Sequence, residues 1–282
     1  MKLIVCDLDG TLLFKGEEKI KKDILESVEN LRKKNVMFAC ASGRTYGELR
    51  RIFDNENIIY IPFNGGGAYF ENKTLVEFPV SNLGMKNFEN TEDVVFHSKL
   101  LSYIKSEDKR FLRDNFQRYN GHIQKISDIT EVKEPVLKIT AAQNSDAAKK
   151  SKGIKRIYDG REFVDFASEN ADKGTAVEKL CEMFEISFEN LFVIGDNLND
   201  ISMMSLTKNS FSVYGAKYQV RKAAKNEISS AEAFLRDFDV WKIKNQRKNN
   251  IKTKKTTFLY WQIKITVIEY KQGEKYFAES IL

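Results

Sequence analysis

Cysteine, histidine and proline are scarce in this sequence of 282 residues, and each shortage excludes a class of protein. Three Cys and two His, none at metal-ligand spacing, are too few for a disulfide scaffold or a zinc site. Three Pro and 15 Gly are too few for a low-complexity or collagen-like chain. Because 42% of the residues are hydrophobic, the chain can form one large globular domain or two smaller ones.

Long hydrophobic runs are also missing. The apolar stretch at the N-terminus ends at Asp7, too early for a signal peptide. The best membrane-spanning candidate, Phe258 to Ile268, is interrupted by Gln262 and Lys264. We therefore expect a soluble cytoplasmic protein with no membrane partner.

The net charge of +6 comes from one end of the chain. Residues 242–282 contain 10 Lys and Arg against 3 Asp and Glu, whereas residues 1–241 contain 36 against 37. The main body therefore carries no excess of positive charge, and a nucleic-acid partner is not predicted from the overall charge.

Two stretches of the chain alternate buried strands with amphipathic helices, the pattern of a doubly wound parallel sheet. The predicted strands are residues 2–8, 36–41, 58–63, 191–194 and 211–214, and a later helix begins near Lys173. No apolar strand is predicted after about residue 225. We expect an α/β core made of residues 1–79 and 168–241.

Between these halves, residues 80–167 mix strand and helix patterns and predict an inserted α+β domain, called the cap below. Its predicted strands are Val94–Phe96, Val136–Ala141, Ile154–Tyr158 and Phe163–Phe166, with helices near 107–119 and 145–151. The two histidines, His97 and His122, are expected on the cap surface.

The basic tail, residues 242–282, is predicted to be a linker over 242–257 followed by a strand or hairpin. Apolar and polar residues alternate from Trp261 to Val267, and Gly273 provides a turn. The aromatic residues of the tail also permit a nucleic-acid-binding arm, but the alternation favours a half-buried strand that covers a sheet edge.

The first predicted strand ends in Asp7-Leu8-Asp9-Gly10-Thr11. Alternate side chains of a strand share a face, so Asp7 and Asp9 are expected to point into one site, where two carboxylates repel unless a cation or shared proton intervenes. A strand cap followed by a turn is the alternative. The position at the carboxyl end of a strand favours a ligand site.

This motif resembles the first motif of the haloacid dehalogenase superfamily, and three further motifs follow in the same order. Ser42 in Ala41-Ser42-Gly43-Arg44 matches the second motif, Lys173 the third, and the acidic pair Asp196 and Asp200 the fourth. The insertion after Asn64-Gly65-Gly66 is similar to the cap of Cof-type (class II cap) phosphatases. Taken singly, each match is also typical of a helix cap, a solvated charge or a turn.

The resemblance implies roles for these residues in a magnesium-dependent phosphatase. Asp7 is expected to be the nucleophile that forms an aspartyl-phosphate, and Asp9 the general acid and base. Mg²⁺ is expected on Asp7, the Asp9 carbonyl and Asp196, with Asp200 as an orienting residue. The remaining assignments are phosphate binding by Ser42, Gly43, Lys173 and Asn199, and substrate binding by Arg44 and Asn64.

The expected substrate is a small phosphorylated metabolite such as a sugar phosphate. Two other functions remain open: a phosphomutase of the phosphomannomutase type, which would need a bisphosphate activator, and a non-catalytic protein that binds through its basic tail. The intact pair of Asp7 and Asp9 argues against the non-catalytic protein. The sequence does not indicate an oligomeric state.

Overall fold

The computed structural model describes residues 1–55, 57–119, 122–143, 152–159, 162–239, 253–260, 263–272 and 275–281. The chain forms two compact units, Met1–Leu235 and Arg236–Leu282. No helix of the described residues is long and apolar enough to cross a membrane.

The first unit contains two sheets and their helices. The elements of its first part are β1 (Lys2–Asp7), α1 (Lys22–Arg32), β2 (Val36–Ala41), α2 (Tyr46–Phe53), β3 (Ile59–Ile61), β4 (Gly67–Phe70) and β5 (Lys73–Glu77). Those of the inserted part are α3 (Asn82–Lys86), β6 (Val94–His97), β7 (Ser102–Lys105), α4 (Lys109–Arg118), β8 (Ile123–Lys125), β9 (Lys138–Ala142), β10 (Lys155–Asp159) and β11 (Phe163–Ala167). The last part holds α5 (Lys173–Met183), β12 (Leu191–Gly195), α6 (Ile201–Met204), β13 (Ser210–Val213), α7 (Tyr218–Ala223), β14 (Asn226–Ile228) and α8 (Ala231–Arg236, whose last residue lies beyond the unit boundary).

The main sheet has the strand order β14-β13-β12-β1-β2-β3-β4-β5. Strands β14 to β3 run parallel, and β4 and β5 add an antiparallel hairpin at one edge. β1 lies inside the sheet, and its residues from Leu3 to Cys6 are fully buried, as its continuous apolar run predicts. The predicted α/β fold is confirmed.

Helix α5 packs against the first strand of the main sheet. Leu3 and Val5 of β1 share one buried cluster with Val177 and Leu180 of α5. Because side chains alternate along a strand, Asp7 points to the same side as Leu3 and Val5, toward the beginning of α5. The apolar residues of α1 are buried outside this cluster.

The expectation that no strand follows residue 225 is wrong. β14 pairs in parallel with β13 through Phe211 and Asn226 and forms an edge of the main sheet. Asn226 and Glu227 are exposed and Ile228 is only half-buried, because an edge strand faces solvent and tolerates polar residues. A search for an apolar run therefore overlooks this strand.

The second sheet lies between β5 and α5 in the chain and has the order β10-β11-β9-β6-β7-β8. Its pairs are antiparallel except β7 with β8. The helix expected near 145–151 lies outside the described residues, and the domain boundaries at 79/80, 167/168 and 241/242 stay predictions.

The prediction that His97 lies on the cap surface is wrong, whereas His122 is exposed as expected. His97 is fully buried because β6 is an interior strand between β9 and β7. Its ring nitrogens pair with the hydroxyls of Ser102 at 2.9 Å and Thr140 at 3.0 Å. All three cysteines are buried and free.

The second unit contains an antiparallel sheet of β15 (Thr253–Tyr260), β16 (Ile263–Gln272) and β17 (Lys275–Ile281). The prediction of a linker over 242–257 is wrong for residues 253–257, which belong to β15. These residues include three threonines, which favour strands. Residues 242–252, Trp261 and the turn expected at Gly273 lie outside the described residues.

Candidate active site

Asp7 ends β1, and its carboxylate meets an ammonium group from the opposite half of the core. It is 5% exposed, and its Oδ1 accepts a hydrogen bond from Nζ of Lys173, the first residue of α5. The same Nζ donates to Oδ1 of Asp200 at 2.6 Å. Lys173 is fully buried, so these two carboxylates compensate the cost of removing its charge from water.

Asp200 also organises the loop after β12. Its Oδ2 accepts from the backbone N–H groups of Asp196 at 3.0 Å and Asn197 at 2.9 Å. Both oxygens of Asp200 are therefore occupied by donors. The geometry makes Asp200 a residue that orients Lys173 and the backbone beneath Asp196.

Asp196 lies beside Asp7 and is held by the turn after β1. Its Oδ1 accepts from the Thr11 hydroxyl at 2.8 Å, a contact to which the sequence analysis assigned no role. Gly10 has a positive φ of 92°, and a Cβ there would lie 2.6 Å from Oδ2 of Asp196. The first motif therefore needs glycine at this position because a side chain would fill the space beside Asp196.

Three carboxylates crowd around one ammonium group in this site. Oxygen atoms of Asp7, Asp196 and Asp200 lie within 4.8 Å of one another. Oδ2 of Asp7 is buried and has no hydrogen-bond partner among the described residues. Such a cluster of oxygens with excess negative charge can hold a hard divalent cation.

Burial and like charge shift the ionisation of these groups. Burial raises the pKa of Asp7 well above its usual value; Lys173 opposes this effect, and Asp200 and Asp196 add to it. Burial also raises the pKa of Asp196. Burial alone would lower the pKa of Lys173, but Asp200 and Asp7 raise it above its usual value. Lys173 therefore stays charged, and the carboxylates beside it favour a further cation.

Asp9 does not join this cluster. β1 ends at Asp7, so the alternation that was expected to bring Asp7 and Asp9 to one face stops before Asp9. The Asp9 side chain is 51% exposed and forms a bidentate ion pair with Arg44, with N–O distances of 2.6 and 2.9 Å.

The loop after β2 carries the second motif. Ser42 is buried, and its Oγ accepts from the backbone N–H of Arg44 at 3.2 Å. The carbonyl of Gly43 accepts from Nζ of Lys138, a residue of the inserted sheet, at 3.2 Å. The loop therefore contacts both the first motif, through Arg44 and Asp9, and the inserted part.

Asn64 and Asn199 meet although they are far apart in sequence. Nδ2 of Asn199 donates to Oδ1 of Asn64 at 2.7 Å, and Oδ1 of Asn199 is buried without a partner among the described residues. The neighbouring Gly65 has a positive φ of 92°, and a Cβ there would lie 2.2 Å from the backbone carbonyl of Asp172, which caps α5. Gly65 therefore permits a close approach between this loop and the start of α5.

A cavity of about 810 Å³ lies between the main sheet and the inserted sheet. The predicted residues Asp9, Gly43, Arg44, Asn64 and Asn199 line it from the main-sheet side. The inserted sheet contributes three polar residues that the sequence analysis missed: Lys138, Thr140 and Asp165. A signal for the first two was present, because Lys138 and Thr140 place polar side chains two residues apart within an apolar strand.

Comparison with known proteins agrees with this architecture. Residues 4–233 match the family model of haloacid dehalogenase-like hydrolases. A solved structure from Eubacterium rectale has a TM-score of 0.76 at 22% identity and covers 84% of this chain and 99% of its own. A sugar phosphatase of haloacid dehalogenase subclass IIB has a TM-score of 0.68 at 17% identity, with 85% and 100% covered.

Relatives of similar length have named activities. A 5-amino-6-(5-phospho-D-ribitylamino)uracil phosphatase of Bacillus subtilis is 24% identical over 77% of this chain and 88% of its own. A phosphoglycolate phosphatase of Nitrosopumilus maritimus is 21% identical over 81% of this chain and 90% of its own.

The parallel core, the inserted sheet and the family match define the class: this chain belongs to the haloacid dehalogenase-like hydrolases. The match agrees with the Cof-type resemblance drawn from the four motifs and the insertion, and a HAD/COF-like hydrolase of Plasmodium vivax shares the fold, with a TM-score of 0.67 at 22% identity over 85% of this chain and 96% of its own.

Proposed function

We propose that this protein is a magnesium-dependent phosphatase that hydrolyses small phosphorylated metabolites through an aspartyl-phosphate. The observation that carries the proposal is the state of Asp7, whose Oδ1 is held by Lys173 while its buried Oδ2 has no partner among the described residues. A nucleophilic carboxylate needs one oxygen positioned and the other available for attack.

The residues around Asp7 have complementary tasks in this reaction. Oδ2 of Asp7 attacks phosphorus in line with the leaving oxygen, and Lys173 neutralises charge on the phosphoryl oxygens. Ser42, the backbone of Gly43 and Asn199 donate hydrogen bonds to the same oxygens. The relatives that act as phosphatases favour this reaction over that of a phosphomutase.

Asp9 completes the cycle as general acid and then general base. It protonates the leaving alkoxide and later takes a proton from the water that hydrolyses the aspartyl-phosphate. Its carboxylate lines the cavity, where the leaving group must lie, and Arg44 and Asn64 contact the substrate there. Because Arg44 occupies both oxygens of Asp9, this pair must open before Asp9 can donate a proton.

The residues present fit a magnesium ion. Oxygens of Asp7, Asp196 and Asp200 lie within 4.8 Å of one another and carry excess negative charge, and Gly10 leaves space open beside Asp196. Asp7, the Asp9 carbonyl and Asp196 would hold the ion, while both oxygens of Asp200 are already used. Bound Mg²⁺ supplies positive charge that offsets the repulsion between the nucleophile and the phosphate dianion.

The test is hydrolysis of p-nitrophenyl phosphate by the full chain with Mg²⁺ and after chelation. Turnover is expected with Mg²⁺ and is expected to disappear with the chelator, then return when Mg²⁺ is restored. Turnover that persists without any divalent cation contradicts the metal assignment. Absence of turnover with Mg²⁺ on a broad panel of phosphate monoesters contradicts the phosphatase assignment.

A further inference from the structure

The cavity between the two sheets has a wall on each side of the space where the leaving group would lie. Arg44 and Asp9 belong to the wall beneath, and Lys138 and Asp165 belong to the inserted sheet above. The volume of about 810 Å³ is large for a phosphoryl group alone and falls within the range of pockets that enclose whole metabolites. The wall of the inserted sheet is therefore in a position to contact the leaving group.

Most of the charges in this cavity are balanced in pairs. The charged side chains among the described residues that line it are those of Asp9, Glu48, Asp165, Arg44, Lys138 and Lys217. Arg44 is paired with Asp9, and Lys138 lies 3.2 Å from Oδ2 of Asp165. Lys217 is exposed, so water screens its charge. Among the described residues that line it, the cavity therefore offers no buried cation in excess for a second acidic group on a substrate.

Of these two ion pairs, the one between Lys138 and Asp165 is buried. The side chain of Lys138 is 2% exposed and that of Asp165 is 17% exposed. Lys138 donates to the Gly43 carbonyl and to Asp165, which leaves one of the three ammonium donors for a ligand. Asp165 also accepts from the Thr140 hydroxyl through its other oxygen.

A hydroxyl group and a carboxylate of a substrate would interact differently with the Lys138–Asp165 pair. A hydroxyl can accept from Lys138 and donate to Asp165 without separating them. A carboxylate cannot donate, so it would either face Asp165 directly or displace it from Lys138. Displacement leaves Asp165 without its ammonium partner, which is costly at a poorly solvated position.

We propose that the Lys138–Asp165 pair makes this enzyme select phosphate esters whose leaving group bears uncharged hydroxyl groups and reject esters with a second acidic group. The inference rests on the proposed phosphatase function and specifies its substrate class. It separates this chain from its relatives that hydrolyse phosphoglycolate, a substrate with a carboxylate in its leaving group.

Two esters of equal chain length test the selection: D-glucitol 6-phosphate and 6-phosphogluconate differ only at the end far from phosphate, where one has a hydroxyl and the other a carboxylate. We expect the kcat/KM of the full chain with Mg²⁺ to be at least about tenfold higher for the glucitol ester. Equal values for the two esters, or a preference for 6-phosphogluconate, would overturn the proposal.

The Asp165→Asn variant tests whether the Lys138–Asp165 pair causes this selection. The amide can still accept from Thr140, but it no longer balances the charge of Lys138. The ratio of kcat/KM for the glucitol ester to kcat/KM for 6-phosphogluconate should therefore fall at least about fivefold. Glu107→Gln is the matched control because it breaks an exposed pair with Lys125, at 2.9 Å and outside the cavity. A preference that is unchanged in a folded Asp165→Asn protein would remove this pair from the explanation.

Binding measurements test the proposed selection independently of the hydrolysis reaction. Calorimetry with the Asp7→Asn variant measures the affinity for both esters in the absence of turnover. If the glucitol ester binds more tightly but no ester is hydrolysed by the parent, the selection stands and the proposed function fails. If the parent hydrolyses p-nitrophenyl phosphate but both esters bind and react equally, the proposed function stands and the selection fails.

Discussion

Among single residues, Asp7 has the most demanding environment because its charge is buried beside two other carboxylates. Lys173 balances only part of this negative charge, and burial raises the pKa of Asp7 well above its usual value. Such an environment is typical of functional residues, since an uncharged side chain of the same shape would fit the fold at lower cost. Replacing Asp7 should therefore lower the activity of the protein without lowering its stability.

Asp7→Asn should lower kcat for p-nitrophenyl phosphate by about a thousandfold or more, because the amide is not a nucleophile. The melting temperature without metal should not fall, because Lys173 retains Asp200 and one buried charge is gone. Kinetics and thermal unfolding measure the two effects, with exposed Asp23→Asn on α1 as the control. Substantial turnover in Asp7→Asn would exclude the aspartyl-phosphate.

The raised pKa values of Asp7 and Asp196 also predict how pH and Mg²⁺ affect the free energy of unfolding. A raised folded-state pKa contributes stability below the unfolded value of about 4, and this contribution is lost as pH rises through the folded value. Bound Mg²⁺ favours the ionised carboxylates and offsets the loss. The increase in melting temperature caused by Mg²⁺ should therefore grow as pH rises from about 4 toward neutrality.

Thermal unfolding with Mg²⁺ and with a chelator, repeated at several pH values, measures this increase. Asp7→Asn serves as the control because it lacks one of the two carboxylates, and its increase should be smaller at every pH. An increase that is independent of pH, or one that is equal in the parent and the variant, would show that Mg²⁺ binds elsewhere.

Among the elements, the junction between the loop after β3 and the start of α5 positions Lys173. Gly65 of this loop would place a Cβ 2.2 Å from the backbone carbonyl of Asp172 and 2.6 Å from the backbone nitrogen of Lys173. Real atoms cannot approach so closely, so a side chain at this position must push the helix start away. The conformation at Gly65, with φ of 92°, also disfavours any residue with a Cβ.

Gly65→Ala can be compared with Gly16→Ala, whose φ is 95° but whose Cβ would meet nothing within 4 Å. Gly16→Ala should cost about 1 kcal/mol from backbone strain alone. Gly65→Ala should cost about 2 kcal/mol more because of the overlap, and it should lower kcat by displacing Lys173. Urea unfolding and steady-state kinetics measure both variants. Similar losses of stability in the two variants would mean that the loop relaxes without moving α5.

For the whole molecule, the candidate site residues and the basic tail belong to different compact units. Every predicted site residue lies in Met1–Leu235, whereas residues 242–282 carry the excess positive charge. The strands β15, β16 and β17 pair with one another. The main sheet, whose strand ends carry the candidate site residues, is formed within the first unit.

Removal of residues 242–282 should leave kcat/KM for p-nitrophenyl phosphate within about twofold of the parent, because the truncation removes no site residue. Turnover and salt-dependent binding to a random oligonucleotide should be measured for both proteins. Loss of turnover would show that the tail supports the site. Micromolar oligonucleotide binding that disappears with the tail would favour the nucleic-acid-binding arm.

Buried strands were readily predicted from the sequence because interior parallel strands are apolar on both faces. β1, β2 and β12 are such strands, and their ends carry Asp7, Ser42 and Asp196. β14 escaped prediction because an edge strand needs few apolar residues. The surface position expected for His97 was wrong because a polar ring can be buried when two hydroxyls satisfy its nitrogens.

The sequence by itself determined the core elements and the order of the four motifs, because periodicity and motif chemistry are local properties of the chain. Only the tertiary structure decided which charges meet. It turned Asp9 toward Arg44 rather than toward Asp7, joined Asn64 to Asn199, and brought Lys138 to the Gly43 carbonyl. These pairings join residues from 35 to 135 positions apart, and the packing of the strands and of the inserted sheet sets distances that no local pattern contains.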